Sequence, residues 1–222
     1  MLWKLANHRD PSSLAARLRR RRMEHCRAIV SSIPRPIKVL NVGGGEEECV
    51  SLGLAGERGV FVTVLNRTGF EASHPNIVSV IGDARDMREF ADLEFDFVFS
   101  NSVIEHVGDD DDVRRMANEV RRVAKRYYVQ TPNRYFPIEP HFLFPCFQFL
   151  PIRVRAALLQ RYRLGWMERQ PDPVAAEQEV RSINLLSKKQ MRALFPEATV
   201  TYERTFGLAK SILSLKAVPS SR

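Results

Sequence analysis

Apolar positions follow two alternating rhythms along this chain. Behind Ser12 or Ser13, either of which can cap a helix, Leu14, Leu18, Met23, Cys26, Ile29 and Val30 recur at helical spacing, and Pro34 and Pro36 end the run. Five short runs rich in Val, Ile, Leu and Phe follow, at 38–42, 60–65, 77–81, 95–100 and 127–130, each closed by Gly, Asn or Thr-Pro; they predict strands. Helical patterns lie among them: one from Glu46, one over 109–124 with Val113, Met116, Val120 and Val123 on one face, and one behind Ser187. Near-continuous apolar strands alternating with helices predict a parallel sheet covered on both faces. The last two runs, 199–204 and 212–217, have no helix between them and predict an antiparallel hairpin on the sheet edge. The expected fold is therefore α/β, a doubly wound, mostly parallel, Rossmann-like sheet of seven strands with an antiparallel C-terminal hairpin.

The rhythm breaks at 134–186, a stretch rich in Pro, Phe, Arg and Trp with a helix expected at 152–162. A single domain is expected, comprising an N-terminal helix (1–36), a ligand-binding half (37–133), a helical insertion (134–186) and a C-terminal helix and strands (187–222).

Composition narrows the picture. At 222 residues and 44% hydrophobic, the chain can bury one core but hardly two. Cys26, Cys49 and Cys146 are far apart with no CxxC spacing, which argues against a disulfide framework or a structural zinc and fits a reducing cytoplasm. The first thirty residues lack the apolar core of a secretory signal, and 142–152 is too short and too proline-interrupted to span a bilayer. The net charge of +8 invites a nucleic-acid partner. Much of it sits in Arg17, Arg19, Arg20, Arg21 and Arg22, a run that reads first as a solvated helix face, and acidic clusters at 46–48 and 109–112 break up the field. Nucleic acid is not favoured.

In such sheets ligands bind at the carboxyl ends of the strands, beside strand one. There the chain reads Asn41-Val42-Gly43-Gly44-Gly45-Glu46-Glu47-Glu48. Glycines at 43 and 45 form a tight turn against which a ligand can lie, with Gly44 between them. Three carboxylates at that turn would repel the pyrophosphate of a nicotinamide cofactor but tolerate the cationic S-adenosylmethionine, which favours methyl transfer over hydride transfer. Asn66, ending the second strand, is placed to meet ribose hydroxyls. Asp83 and Ala84, after the third, are placed to meet an adenine amino group, with a loop cap an equally weighted reading of Asp83.

Taken together, KVLNVGGG, GDARDM, FDFVFSNSVIEHV and LLSKKQMRALFPEA…GLAKSILSLKA, in that order and spacing, resemble the class I S-adenosylmethionine-dependent methyltransferases, and within them the small bacterial enzymes with a Glu-His-Val motif after strand four. The resemblance covers 37–133 and 187–217. It implies S-adenosylmethionine as cosubstrate, with Asn101 and Ser102 lining its methionine end. Asn41 and Asn66 depart from it, standing where the family usually carries acids. Glu105 and His106 read as packed residues, as a general base at His106, or, by similarity to methyltransferases that hold a metal through Glu-x-x-Glu-His and a distant His, as ligands. Ser102 replaces the first Glu of that set, so help from Glu139 or His141 would be needed, and no metal is expected. The proline-stiffened segment 131–141 begins where the acceptor should sit, which makes His141, His106 and Glu139 the candidates for positioning or deprotonating it. The insertion, with Phe142, Phe144, Phe147, Phe149 and Trp166, reads as a lid or as ordinary packing, and also suits a membrane surface. The expected reaction is methyl transfer to the oxygen of a small, polymer-linked or lipid-linked acceptor. The rivals are an RNA methyltransferase, a nicotinamide-dependent oxidoreductase and a non-catalytic interaction module on the same fold.

Overall fold

The computed structural model describes residues 13–217. Helix α1 (Leu14–Ser31) starts at Ser13, whose side chain accepts from the Ala16 amide; Ser12 lies outside the described residues. The chain then forms β1 (Ile37–Val42), α2 (Glu46–Ser51), β2 (Val60–Asn66), β3 (Ile77–Ile81), β4 (Phe97–Asn101), a single 3-10 turn (Ile104–His106), α3 (Asp110–Val123) and β5 (Tyr127–Pro132). In the insertion come a two-residue hairpin, β6 (Ile138–Glu139) and β7 (Phe144–Pro145), then α4 (Ile152–Arg161) and α5 (Pro173–Arg181). Helix α6 (Lys188–Leu194) and strands β8 (Thr199–Thr205) and β9 (Leu208–Lys216) close the sequence.

The sheet has seven strands in the order β3-β2-β1-β4-β5-β9-β8, with β1 to β5 parallel and β9 antiparallel to both β5 and β8. The expected architecture is the observed one. Side chains alternate across it: Val39, Phe97, Phe99 and Tyr128 face a core covered by Met23, Cys26 and Val30 of α1, whereas Leu40, Val42, Val98 and Val129 face one covered by Val113, Met116 and Val120 of α3 and Met191 of α6. Because the chain leaves β1 toward β2 and β3 and then returns to β4 on the other side, a crevice opens at the carboxyl ends of β1 and β4.

Beyond one-residue shifts at element ends, the structure differs from the sequence pattern in four places. Phe95 makes only an isolated bridge with Ala124, so β4 starts at Phe97. Thr131 and Pro132 do not stop β5: they pair with Ile212 and Ser211, and Pro132 has no amide to donate in any register. Strand β9 starts at Leu208, four residues before the apolar run, because the backbone ladder with β8 continues where the side chains turn polar. The insertion holds a second helix, α5, capped by Asp172 with Pro173 in its first turn, and a small core of its own in which Phe142 and Phe147 pack on Leu159, Leu164 and Val180. Each such side chain stabilises the insertion by roughly 1.5–3 kcal/mol on burial.

Candidate active site

The glycine turn follows directly from β1. Gly43 has φ +76°, and a side chain there would come within 2.6 Å of Val103, so the turn excludes one on both backbone and packing grounds. A Cβ at Gly45, by contrast, meets nothing within 4 Å: the space over the turn is open. Asn41 is buried beneath it, its amide directed to the Gly45 carbonyl (3.4 Å) and its Oδ1 without a partner.

The three carboxylates after the turn do different things. Glu46 leaves the helix axis and accepts from the Ser73 and His74 amides and from His74 Nδ1 at 2.6 Å. Glu48 is buried, lies over Gly44, takes Arg19 Nη2 at 3.1 Å, and accepts from Asn101 Nδ2 at 3.3 Å. Burial raises its pKa, and Arg19 and the two asparagines pull it back. A carboxylate thus reaches the region beside Asn41 after all, but from the helix rather than from the strand.

Asn66 donates to the carbonyls of Gly44 (3.0 Å) and Gly43 (3.4 Å) while its Oδ1 accepts from the Arg67 amide, so it braces the turn. Asp83 is clamped by Arg85, with Nη2 at 2.5 Å from Oδ2, and that hydrogen bond holds its pKa down to about 2. The Arg85 amide also bonds Oδ1, which makes the loop cap an observed role of Asp83. Ala84 packs against the core beside it.

The basic run is not a uniformly solvated face. Arg19 turns to Glu48, and Arg22, its side chain only 9% exposed, ties four elements together: it donates to Asn101 Oδ1 (2.6 Å), to Gln130 Oε1 (2.8 Å) and to both carboxylate oxygens of Glu203. The spacing held the signal. Arg19 and Arg22 lie four residues ahead of buried Met23 and Cys26, on the packed side of α1. Ser102, at φ +57°, donates to Gln130 Oε1 at 3.0 Å and so points across the strand ends.

Beyond Asn101 and Ser102 a cavity of about 650 Å³ opens, which spans the ends of β4, β5 and β9 and runs under the insertion. His141 lines it. Its Nδ1 lies 2.7 Å from Glu139 Oε1, and the other oxygen of Glu139 takes the His141 and Phe142 amides, so the ring is fixed and, among the described residues, Nε2 has no hydrogen-bond partner. Burial opposes the charged imidazole, but the Glu139 hydrogen bond and the charges of Glu139 and Glu105 outweigh it and raise the pKa. His106 meets His141 edge to face, with ring centroids 4.8 Å apart. Although His106 is exposed as a residue, desolvation of its ring and the neighbouring imidazole draw its pKa down to about 4. Glu105 is completely buried; burial pushes its pKa up to about 7, Thr131 Oγ1 donates to one of its oxygens, and the other has no partner. Ligand atoms of Glu105, His106 and His141 can all lie within 4.8 Å of one another. Glu139 is not in that trio, and the Ser102 hydroxyl is engaged with Gln130.

The structure therefore brings Asn41, Gly43, Gly44, Gly45, Asn101 and Ser102 to one crevice and His141, Glu139 and His106 to the adjoining cavity. Asp83 and Ala84 sit at the far side of Asn66. Sequence reasoning missed Arg19, Arg22, Glu48, Gln130 and Lys210, all of which reach the same strand ends. Among the described residues no helix is long and apolar enough to cross a membrane.

Comparison with known proteins places this geometry in context. A family described as a methyltransferase domain matches residues 60–127. Two curated relatives, the uncharacterized proteins Rv1509 and MT1557 of Mycobacterium tuberculosis, are each 27% identical over 190 residues, covering 79% of this chain and 62% of theirs. The chain thus spans about three-fifths of the length of those relatives. Among solved structures, a SAM-dependent methyltransferase from Methanosarcina mazei superposes with a TM-score of 0.51 at 16% identity, over 85% of this chain and 95% of its own. The CurJ carbon methyltransferase gives 0.58 at 10% identity, over 92% of this chain and 55% of its own. The chain has the Rossmann-like methyltransferase fold and carries a match to a methyltransferase domain.

Proposed function

We propose that this protein transfers a methyl group from S-adenosylmethionine to an oxygen of its acceptor. The observation that carries the reading is the junction of two spaces at one sheet edge: the open glycine turn after β1, and the cavity bearing the Glu139–His141 pair beyond β4 and β5. The donor fits what is present. The unpartnered Asn41 Oδ1 calls for a donor group, and Glu48 and Arg19 offer opposite charges that match the ammonium and carboxylate of a methionine moiety. In this reading the cradle is Asn41, Gly43, Gly44, Gly45, Asn101 and Ser102, joined by Glu48 and Arg19; Asn66 braces the turn, and Asp83 and Ala84 border the adenine end.

S-adenosylmethionine supplies an activated methyl on a sulfonium that loses its charge in an in-line displacement, so the protein's task is placement of the acceptor. Glu139 fixes the His141 ring, and His141 Nε2 takes the acceptor's proton as the new oxygen–carbon bond forms. His106, neutral and edge-on, keeps a second positive charge away from that base. Burial of Arg22 removes one charge from the surface an RNA would meet, and Glu48 pairs with Arg19, which weakens the RNA reading.

Calorimetric titration with S-adenosylmethionine and S-adenosylhomocysteine tests the proposal. Micromolar binding of both, lost in Gly43→Val and in Gly45→Val, is the expected result. Gly45→Val is the sharper variant, because its side chain enters space the folded protein leaves empty. Failure of well-folded wild type to bind either compound would overturn the enzyme reading and leave the fold as an interaction module.

A further inference from the structure

The cavity under the insertion has an uneven character. Its walls are Phe136, Ile138, Leu143, Trp166, Phe206 and Leu208, so most of what it presents to an occupant is hydrocarbon and aromatic ring. Three cations reach into it. Arg19 pairs with Glu48 and Arg22 with Glu203, which neutralises both. Lys210 is different. It enters from β9, and among the described residues no side chain or carbonyl hydrogen-bonds to its ammonium and no carboxylate pairs with it. Desolvation and the nearby Arg22 lower its pKa, with Glu203 opposing them from beyond ion-pair distance. A half-buried ammonium in an apolar cavity without a counter-charge is costly unless an occupant supplies one.

Resting on the methyltransferase reading above, we infer that the acceptor is an amphipathic anion: a molecule with an apolar body seated on the Phe136, Ile138, Leu143, Trp166, Phe206 and Leu208 wall and one carboxylate or phosphate group held by Lys210. The anionic group is the anchor, and the methylated oxygen lies elsewhere on the body, toward His141. Pairing with the anion removes the cost of the isolated ammonium, and the apolar wall gives the affinity that one ion pair near water would not. The cavity falls within the size range of small-molecule sites.

Dodecanoate and dodecyl phosphate, each below its micelle concentration, serve as probes in calorimetric titrations of the full chain. Dodecanol serves as the uncharged control and dodecyltrimethylammonium as the oppositely charged one. Both anions are expected to bind at least tenfold more tightly than dodecanol, with the ammonium weakest. Lys210→Met should lower anion affinity at least tenfold and leave dodecanol unchanged, and Lys210→Arg should restore it. Sedimentation with phosphatidylglycerol vesicles separates a membrane headgroup from a free amphiphile: Lys210-dependent sedimentation would assign the anion to a bilayer lipid, and its absence beside monomer binding to a free one. Equal affinity for dodecanol and dodecanoate, or anion binding indifferent to Lys210→Met, would overturn the inference. S-adenosylhomocysteine titration of the same samples separates the two claims. Retained homocysteine-derivative binding with no anion preference sinks the acceptor assignment alone, whereas its loss in wild type sinks the methyltransferase reading.

Discussion

The two halves of the site treat their polar groups in opposite ways. Around the glycine turn nearly every polar side chain already has a partner inside the protein: Asn66 holds loop carbonyls, Asp83 holds Arg85, Glu48 holds Arg19, and Arg22 holds Asn101 and Glu203. Under the insertion, among the described residues, the polar groups stand apart in an apolar room: Lys210 is unpaired, and His141 has one nitrogen free. A ligand at the turn must exchange with internal partners, which makes recognition there a matter of swapping charge for matching charge. A ligand in the cavity fills vacancies. On the proposed reading the donor half is braced without its ligand, whereas the acceptor half would gain its full set of contacts only when occupied.

The largest effect that would break this contrast concerns the free nitrogen. His141→Ala is expected to lower turnover by about 10²- to 10⁴-fold and to leave S-adenosylhomocysteine affinity within a factor of about two. As a base His141 must be neutral, and its pKa is raised, so wild-type activity should climb with pH through a midpoint above the ordinary histidine value. Glu139→Gln removes the carboxylate that raises it and should move the midpoint down. A pH–rate profile checks the sign, and an unmoved midpoint would remove His141 from the base role. Dialysis against a chelator separates proton handling from a cation held by the Glu105, His106 and His141 trio: the base reading expects full activity afterwards, the cation reading none until a divalent metal is restored.

On the braced side, Arg22→Met should cost about 3 kcal/mol in urea unfolding, because it strands Glu203 and strips Asn101 and Gln130 of their shared donor. An effect below about 1 kcal/mol would show that the hub is solvated and the donor half no better braced than the acceptor half.

How much of this was legible in the sequence follows from the range of the forces involved. Strand and helix identity came from local periodicity, and the switch point from the order of elements, so Gly43 and Gly45 could be placed beforehand, whereas Asn101 and Ser102 were placed by the resemblance to methyltransferases. Arg22 could not be read the same way: a run of five arginines matches a solvated face at short range, and only contact with Glu203, far along the chain, singles one out. Asn66 was legible in position and not in role, because a side-chain amide bonds a loop carbonyl as readily as a hydroxyl. Lys210 carried no local signal; its isolation depends on what β8, β5 and the insertion fail to bring near it.

Glu105 sharpens the comparison through stability. Its pKa in the folded state is raised to about 7, so its contribution to stability is full below the unfolded glutamate value and is lost as pH climbs through about 7. Relative to Glu105→Gln, which keeps an acceptor for Thr131, wild type should lose about 3 kcal/mol between about pH 4 and pH 8. Parallel pH–stability curves for the two proteins would mean that the carboxylate is hydrated.

The smallest expected effect tests whether the bracing of the donor half depends on the helix that delivers it. Ser13 caps α1 through its bond to the Ala16 amide, three residues before Arg19 and six before Arg22. Ser13→Ala should cost about 1 kcal/mol of stability and fray the first turn. Fraying reaches Arg19 first, since among the described residues Arg22 is held at four points and Arg19 by Glu48 alone. S-adenosylhomocysteine affinity should therefore fall by about two- to threefold, while 5′-methylthioadenosine, which lacks the amino-acid end that Arg19 and Glu48 are proposed to receive, binds as before. Equal weakening of both compounds would place the effect of α1 on the glycine turn as a whole and remove Arg19 from the charge exchange.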